Sequence, residues 1–513
     1  MNSKKMIIIG IMVSCCALIG AHVALAEEAA GYRFVFAHGP WDLAQGRIDI
    51  KDQPQNPYFQ YVEKTYGAAP LTISWEWDGI KGYIQGLRLY MASGEVPEAM
   101  KIVDLQFASE LIEADMLIPL DDLLPQYAPD LWKFVPEDAW NIIRSMAPDH
   151  KIYYVPDIPP VYWSRAGFIR QDWLDRVGMN VPTTRDELVA VYKAFKEKDA
   201  NGNGDPNDEI PVSGREGMRW CDDLFTIHGV SMIEGHPRLS WDAEKKQMIS
   251  HQVSDQMKAA IEFLRYLTEE GLMDPVMPIL KKQDWVAKIN ANQVGHYFHV
   301  IGEMESYSAF REKDPQAKWT YLPLVSVPGV PPQKHVYVNG AAPTNPVFAL
   351  TKAAKDPEKI LRWYNQSVTT MDGLLYKTLG IPEKDWKKVG DQIEIINKET
   401  PYYKYVPIET TQYSRDIFAM SAMGDMKAPI LDKMLEVGFT GYDDASMPIS
   451  IYEGYEDYAP DKATLYREYC SKMVLGVLPM SAWDDYVKEW HAKGGDEVLK
   501  RATEWYKNVN NIQ

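Results

Sequence analysis

Apolar and polar positions along this chain repeat with two periods, and the switches between them mark out the elements. In "YRFVFAHG", 32 to 39, and "APLTISWEW", 69 to 77, apolar residues recur at the two-residue spacing of a strand. Between them "PYFQYVEKTYG", 57 to 67, changes to helical spacing, and "YIQGLRLYMASGEVPEAMKIV", 83 to 103, reads as helix, loop and strand. Strand–helix–strand alternation predicts a parallel sheet with helices against it. "KIYYVPDIPPVYW", 151 to 163, is extended but broken by three prolines, which a sheet centre does not tolerate, so it is expected to cross between units. In "VPTTRDELVAVYKAFKEKD", 181 to 199, Thr184 is placed to cap a helix and Glu187 to reach back to it. "KWTYLPLVSVPGVPPQKHVYV", 318 to 338, is Pro-rich with a strand expected at each end, and the C-terminal third is mostly helical in pattern. There, Trp483, Tyr486, Val487 and Trp490 share a helical face behind Ser481, the expected cap, and read as core.

A chain of 513 residues is too long for one hydrophobic core and implies two or three compact units. At the N-terminus Lys4 and Lys5 precede an apolar run that ends in Ala24-Leu25-Ala26, the order of a secretory signal, with cleavage expected after Ala26. Lipidation at Cys15, in "MVSC", is the rival reading; either way the protein is expected to be exported, to a periplasm or a cell surface. The chain without residues 1–26 has 52 basic and 72 acidic residues, a net charge of −20, which argues against nucleic acid or an anionic membrane as partner. Of the four cysteines only Cys221 and Cys470 then remain; a long-range disulfide and two buried thiols are both open, and no zinc-type spacing occurs. The 16 Trp, 30 Tyr and 14 Phe fit core filling and equally fit platforms for sugar rings.

"KEKDANGNGDPNDEI", 196 to 210, cannot build a core. Asp199, Asn201, Asn203, Asp205, Asp208 and Glu209 bring six oxygen-bearing side chains into eleven residues, with Gly202 and Gly204 between them. Hard cations such as Ca²⁺ take six to eight oxygens from loops of this composition. Asp199, Asn201 and Asn203 match EF-hand positions one, three and five, but Glu209 stands at position eleven, Ile210 occupies position twelve, and "IPVSG" opens no second helix. A solvated Asx-rich turn is the alternative, disfavoured by the mutual repulsion of four crowded carboxylates.

The block "FIRQDWLDRVGMNVPTTRDELVAVYKAFKEKDANGNGDPNDEIPV", 168 to 212, resembles the extracellular solute-binding proteins of ABC importers, in particular the large members that bind oligosaccharides such as alginate. "MASGEVPEAM" (91 to 100), "MLIPLDDLLPQYAP" (116 to 129) and "GVLPMSAWDDYVKEWHAKGGDEVL" (476 to 499) are similar to further segments of that family. The resemblance implies an α/β, two-lobed periplasmic-binding-protein-like fold, each lobe a mostly parallel sheet flanked by helices. Residues 27–157 and about 298–370 would form the first lobe, and 158–297 and about 371–513 the second. It also implies a structural Ca²⁺ held by Asp199, Asn201, Asn203, Asp205, Asp208 and Glu209. The implied function is capture of an oligosaccharide, such as a plant or algal polysaccharide fragment, by a monomer that hands it to the permease.

Candidate ligand residues are Trp41, which follows the first strand, and those near the expected crossings: Asp157, Tyr162, Trp163, Arg165, Tyr297 and His299. Arg165 and Lys334 would serve an anionic sugar, whereas Arg170 reads as a structural ion-pair residue. His296 and His299 do not make a metal pair, because a strand splays residues three apart. The alternatives are a secreted glycoside hydrolase using a carboxylate pair, and a peptide-binding periplasmic protein. No Ser-His-Asp elbow, phosphate loop or H-E-x-x-H occurs, so no catalysis is expected.

Overall fold

The structure, a computed structural model, describes residues 31–37, 50–73, 79–156, 165–312, 314–331, 346–390, 392–397, 423–437 and 459–512. They fall into two compact units, divided after Pro136, Met146, Asp157, Thr344 and Thr411.

The first unit opens with β1 (Tyr32–Ala37), α1 (Pro57–Tyr66), β2 (Ala68–Ile73), α2 (Gly79–Ala92) and β3 (Ala99–Met100). Asn56 caps α1 through its side chain, and Gly67 ends it in the left-handed region at φ 72°, a conformation that costs glycine little. That turn returns the chain so that β2 lies parallel to β1, with Tyr32 opposite Ala68. β3 is parallel to β1 on its other side. β4 (Val155–Pro156) is the last described strand before the division at Asp157.

The second unit contains β5 (Arg165–Arg170), α3 (Gln171–Val177), α4 (Arg185–Glu197), α5 (Asp222–Thr226), α6 (Asp255–Glu269), α7 (Lys282–Asn290), β6 (His296–Val300) and β7 (Trp319–Leu322). β5 is central, and both β6 and β7 run antiparallel to it. The expectation of mostly parallel sheets therefore holds for β1–β3 and not here. β5 and β6 are buried at every position, because both faces of this sheet are covered.

The chain re-enters the first unit through β8 (Pro346–Leu350) and α8 (Pro357–Thr369). β8 pairs antiparallel with both β3 and β4 and completes a sheet of order β2-β1-β3-β8-β4. Its Phe348 stacks on Tyr364 of α8 with centroids 3.9 Å apart, and Trp363 meets the ring of Phe34 edge-on. The return expected near residue 298 thus falls at 344/345, because β6 and β7 are both bonded to β5 and stay in its unit.

The C-terminal stretch belongs to the second unit and is helical as expected, with α9 (Ala459–Val474), α10 (Ala482–Trp490) and α11 (Asp496–Val509). Trp483, Tyr486 and Trp490 are buried in the unit's largest core cluster, as the periodicity predicts. Ser481 makes no side-chain cap; it is already helical at φ −62°, ψ −19°. No helix among the described residues is long and apolar enough to cross a membrane.

Candidate functional site

The Asx-rich loop follows α4, whose start carries the reciprocal bonds its sequence predicts: Thr184 Oγ1 accepts from Glu187 N, and the Glu187 carboxylate accepts from Thr184 N. Leu188, Val191, Tyr192 and Phe195 bury one face of α4. Beyond the loop, Ile210 pairs in parallel with Val294 just before β6, and Val212 with Met273. No helix begins there, so the loop is held between a helix and a sheet edge rather than between two helices.

Within the loop most polar groups are turned inward. Asp199 Oδ2 accepts from Gly204 N at 2.9 Å, Asn201 Oδ1 from Asn203 N at 2.9 Å, and Asn203 Oδ1 from Asp205 N at 2.7 Å. The amides of Asn201 and Asn203 each donate to one oxygen of Asp208, at 2.8 and 2.9 Å. Glu209 is 9% exposed, and burial followed by the nearby Asp208 charge pushes its carboxyl above the usual range, against backbone donors that pull it down. Two buried oxygens, Asp199 Oδ1 and Glu209 Oε2, have no hydrogen-bond partner. Unpartnered buried carboxylate oxygens are costly, and a bound cation is one way to satisfy them.

The structure thus brings together Asp199, Asn201, Asn203, Asp208 and Glu209. Asp205 is exposed and spends Oδ1 on the N and Nδ2 of Asn207, so its side chain is directed into its own turn. Gly202, at φ 72°, lies under the guanidinium of Arg176; a Cβ there would come within 2.9 Å of Arg176 Cζ. Arg176 in turn donates to the Ala200 carbonyl. Among the described residues no three Asp, Glu, His or Cys side chains form a metal cluster by themselves, so coordination here would draw on the amide oxygens of Asn201 and Asn203 as well.

Of the candidate ligand residues, Trp41, Asp157, Tyr162 and Trp163 lie outside the described residues, as does Lys334. Arg165 is buried, bonds Glu234 Oε1 at 2.6 Å and stands 5.9 Å from the ring of Trp220. Its charge is therefore already matched. Tyr297 is fully buried, ringed by Phe168, Trp285, Tyr307 and Trp319; it is core, and no sugar reaches it in this state. His299 is 2% exposed, with the Trp220 ring 3.9 Å away and Tyr307 Oη 3.3 Å from its Nε2. Burial holds its pKa well below the usual histidine value. His296, on the opposite face of β6, sits between Tyr192 Oη at 2.5 Å and Asp223 Oδ2 at 2.8 Å. The two imidazoles are splayed as a strand requires.

Arg170 is structural, as expected. It is fully buried, bonds Asp172 through Nε and Nη2, donates to Asn292, and lies 4.3 Å from the ring centroid of Phe310. Sequence reasoning missed Asp222 and Asp223, which are buried at the start of α5. Asp222 accepts from Glu234 N and Gly235 N and so shapes the turn that delivers Glu234 to Arg165. The only signal for them was a pair of adjacent acids after an aromatic residue and a cysteine, which also fits a surface helix start.

Comparison with known proteins agrees with this architecture. The family model of bacterial extracellular solute-binding proteins matches residues 52–365. The fructooligosaccharide ABC transporter substrate-binding protein FusA of Streptococcus pneumoniae is 25% identical over 94% of this chain and 90% of its own length. Among solved structures, an HMO-binding, ABC-transporter-associated solute-binding protein of Bifidobacterium longum infantis superposes with a TM-score of 0.69 at 17% identity, covering 94% of this chain and all of that one. The alginate-binding protein AlgQ2, solved without calcium ion, gives 0.61 at 18% identity with 94% and 100% covered. With two compact α/β units and a family match across most of their length, this chain belongs to the bacterial extracellular solute-binding proteins.

Proposed function

We propose that the protein is the substrate-binding component of an ABC import system, that its substrate is an oligosaccharide, and that it binds without catalysis. The observation that carries this reading is the family match over residues 52–365, joined to relatives whose own names specify oligosaccharides. Sugar rings offer C–H faces to aromatic side chains and hydroxyls to carboxylates and amides. Asp157, Tyr162 and Trp163, beside the division between units at Asp157, and Trp41, which follows β1 in sequence, are residues of this chain with that chemistry. We take the ligand to be a plant or algal polysaccharide fragment and the working form to be an exported monomer.

The loop at 199–209 completes the proposal. Asp199, Asn201, Asn203, Asp208 and Glu209 would hold a Ca²⁺ ion, with Asp205 contributing a main-chain oxygen. The ion would supply charge neutralisation for crowded carboxylates and no reaction chemistry. The fit rests on the two unpartnered buried oxygens of Asp199 and Glu209. A thermal-shift screen against fructo-, pectic, alginate and milk-type oligosaccharides tests the function. At a hundredfold excess over Kd the cognate sugar adds about 2.7 kcal/mol to native stability, a rise of several degrees. Trp41→Ala is expected to weaken binding by about 1–3 kcal/mol; a flat screen across all classes would count against an oligosaccharide ligand.

A further inference from the structure

Cys221 and Cys470 are both buried and unbonded, and they share one core cluster. α9 packs against the turn that precedes Cys221. The Arg467 Cδ lies 3.2 Å from where a Cβ on Gly217 would stand, so the turn at 216–218 rests on the α9 face that carries Arg467. Cys470 is one helical turn further along that face, and Cys221 follows Gly217 by four residues. Cys221 Sγ donates back to Met218 O at 3.4 Å. Tyr466, four residues before Cys470, is buried in the same cluster as both thiols. Burial, then Asp222, Asp223 and Cys470, push the Cys221 thiol up.

The segment they would tie is a strained one. Gly217, Met218 and Trp220 all have positive φ, of 70°, 60° and 61°, in the region that non-glycine residues rarely occupy. It carries Trp220, whose indole covers His299 and faces Arg165.

We propose that Cys221 and Cys470 are a disulfide-forming pair, oxidised while the chain folds, and that the bond fastens α9 to the 216–221 turn. Each thiol gives up its proton, and the pair passes two electrons to an incoming disulfide, either glutathione disulfide or an oxidised thiol oxidoreductase, which leaves as two thiols. The timing follows from burial: thiolate is the attacking species, and folded thiols of raised pKa supply little of it. An exported chain meets such oxidants as it folds, so the bond in the cell rests on the export reading, while the pairing can be tested apart from it.

The test is to refold the reduced full-length chain in a glutathione redox buffer, digest it without reductant and weigh the peptides. A cross-linked pair containing Cys221 and Cys470, lighter by two hydrogens than the two peptides together, is expected. Reducing the native protein should lower its melting temperature by roughly 5 °C or more, and Cys470→Ser should leave Cys221 unpaired and the melting point insensitive to reductant. Refolded protein with native circular dichroism in which Cys221 and Cys470 are themselves alkylated, or in which either of them carries glutathione, would overturn the pairing. The refolding result is independent of sugar binding, so it can fail while the binding-protein reading stands.

Discussion

His228 shows how burial dominates a residue's chemistry in this protein. It follows α5, is 9% exposed, lies 5.5 Å from the Phe263 ring centroid, and has no partner for Nε2. Burial, with a smaller contribution from the Arg185 charge, lowers its pKa to about 4. A histidine whose folded pKa is depressed stabilises the fold above its unfolded value near 6.5, and that contribution is lost as pH falls toward 4. His228→Gln should therefore gain on the parent protein across this window by on the order of 3 kcal/mol in urea unfolding, with little difference at pH 7.5. Parallel curves for the two proteins from pH 7.5 to 4 would refute the assignment. Asp222 works in the opposite sense: burial raises its pKa to about 7, so its contribution is present at low pH and lost as pH rises through 7. The comparison of variant with parent removes that background. None of this was legible in the sequence, where His228 is one of 10 histidines and nothing marks it as enclosed. Arg170 was legible, because an arginine two residues before an aspartate in an apolar stretch has an obvious partner, and Asp172 is that partner.

Elements were more readable than single residues, because their signals are local. The box at Thr184 and Glu187 needs only four residues and formed as its spacing predicts. Thr184→Ala should cost about 1 kcal/mol, measured by denaturant unfolding, through the loss of the cap on α4. The strands β1 and β2 and the helix between them were equally plain. The antiparallel sheet of β6, β5 and β7 was not, since strands buried on both faces show no alternation and their partners lie more than a hundred residues away. Tyr297 illustrates the consequence: an aromatic residue near an expected crossing reads as a ligand contact, and only tertiary packing shows that its ring is enclosed.

The Asx-rich loop belongs to this scale too. Its composition was legible, and so was its departure from a helix–loop–helix pair, because Ile210 continues into a strand-like bridge. Extracellular calcium modules have Kd values of about 10⁻⁴ to 10⁻³ M, so a tenfold excess adds about 1.4 kcal/mol to native stability. Chelation should lower the melting temperature by a few degrees, restored by Ca²⁺, and Asp199→Ala should remove the response while the fold persists. A melting curve unchanged by chelator, in protein from which metal analysis recovers none, would reduce the loop to an Asx-rich turn.

At the scale of the molecule, the division after Asp157 and again after Thr344 means that the chain passes between its two units in segments flanked by proline-rich sequence. Asp157, Tyr162 and Trp163 stand in the first of those segments, whereas the described candidates Arg165, Tyr297 and His299 are ion-paired or buried. Family membership was legible because a specific block, 168 to 212, stands inside the matched region; the identity of the sugar was not, since it depends on side chains converging from distant parts of the chain. The central claim is binding without chemistry, and isothermal titration of the exported form with the sugar selected by the thermal screen, followed by mass analysis of the ligand released on denaturation, tests it most directly. The account predicts one site per chain, a Kd in the micromolar range or tighter, and a ligand recovered with its mass unchanged; shortened products, or no saturable heat with any oligosaccharide class, would contradict it.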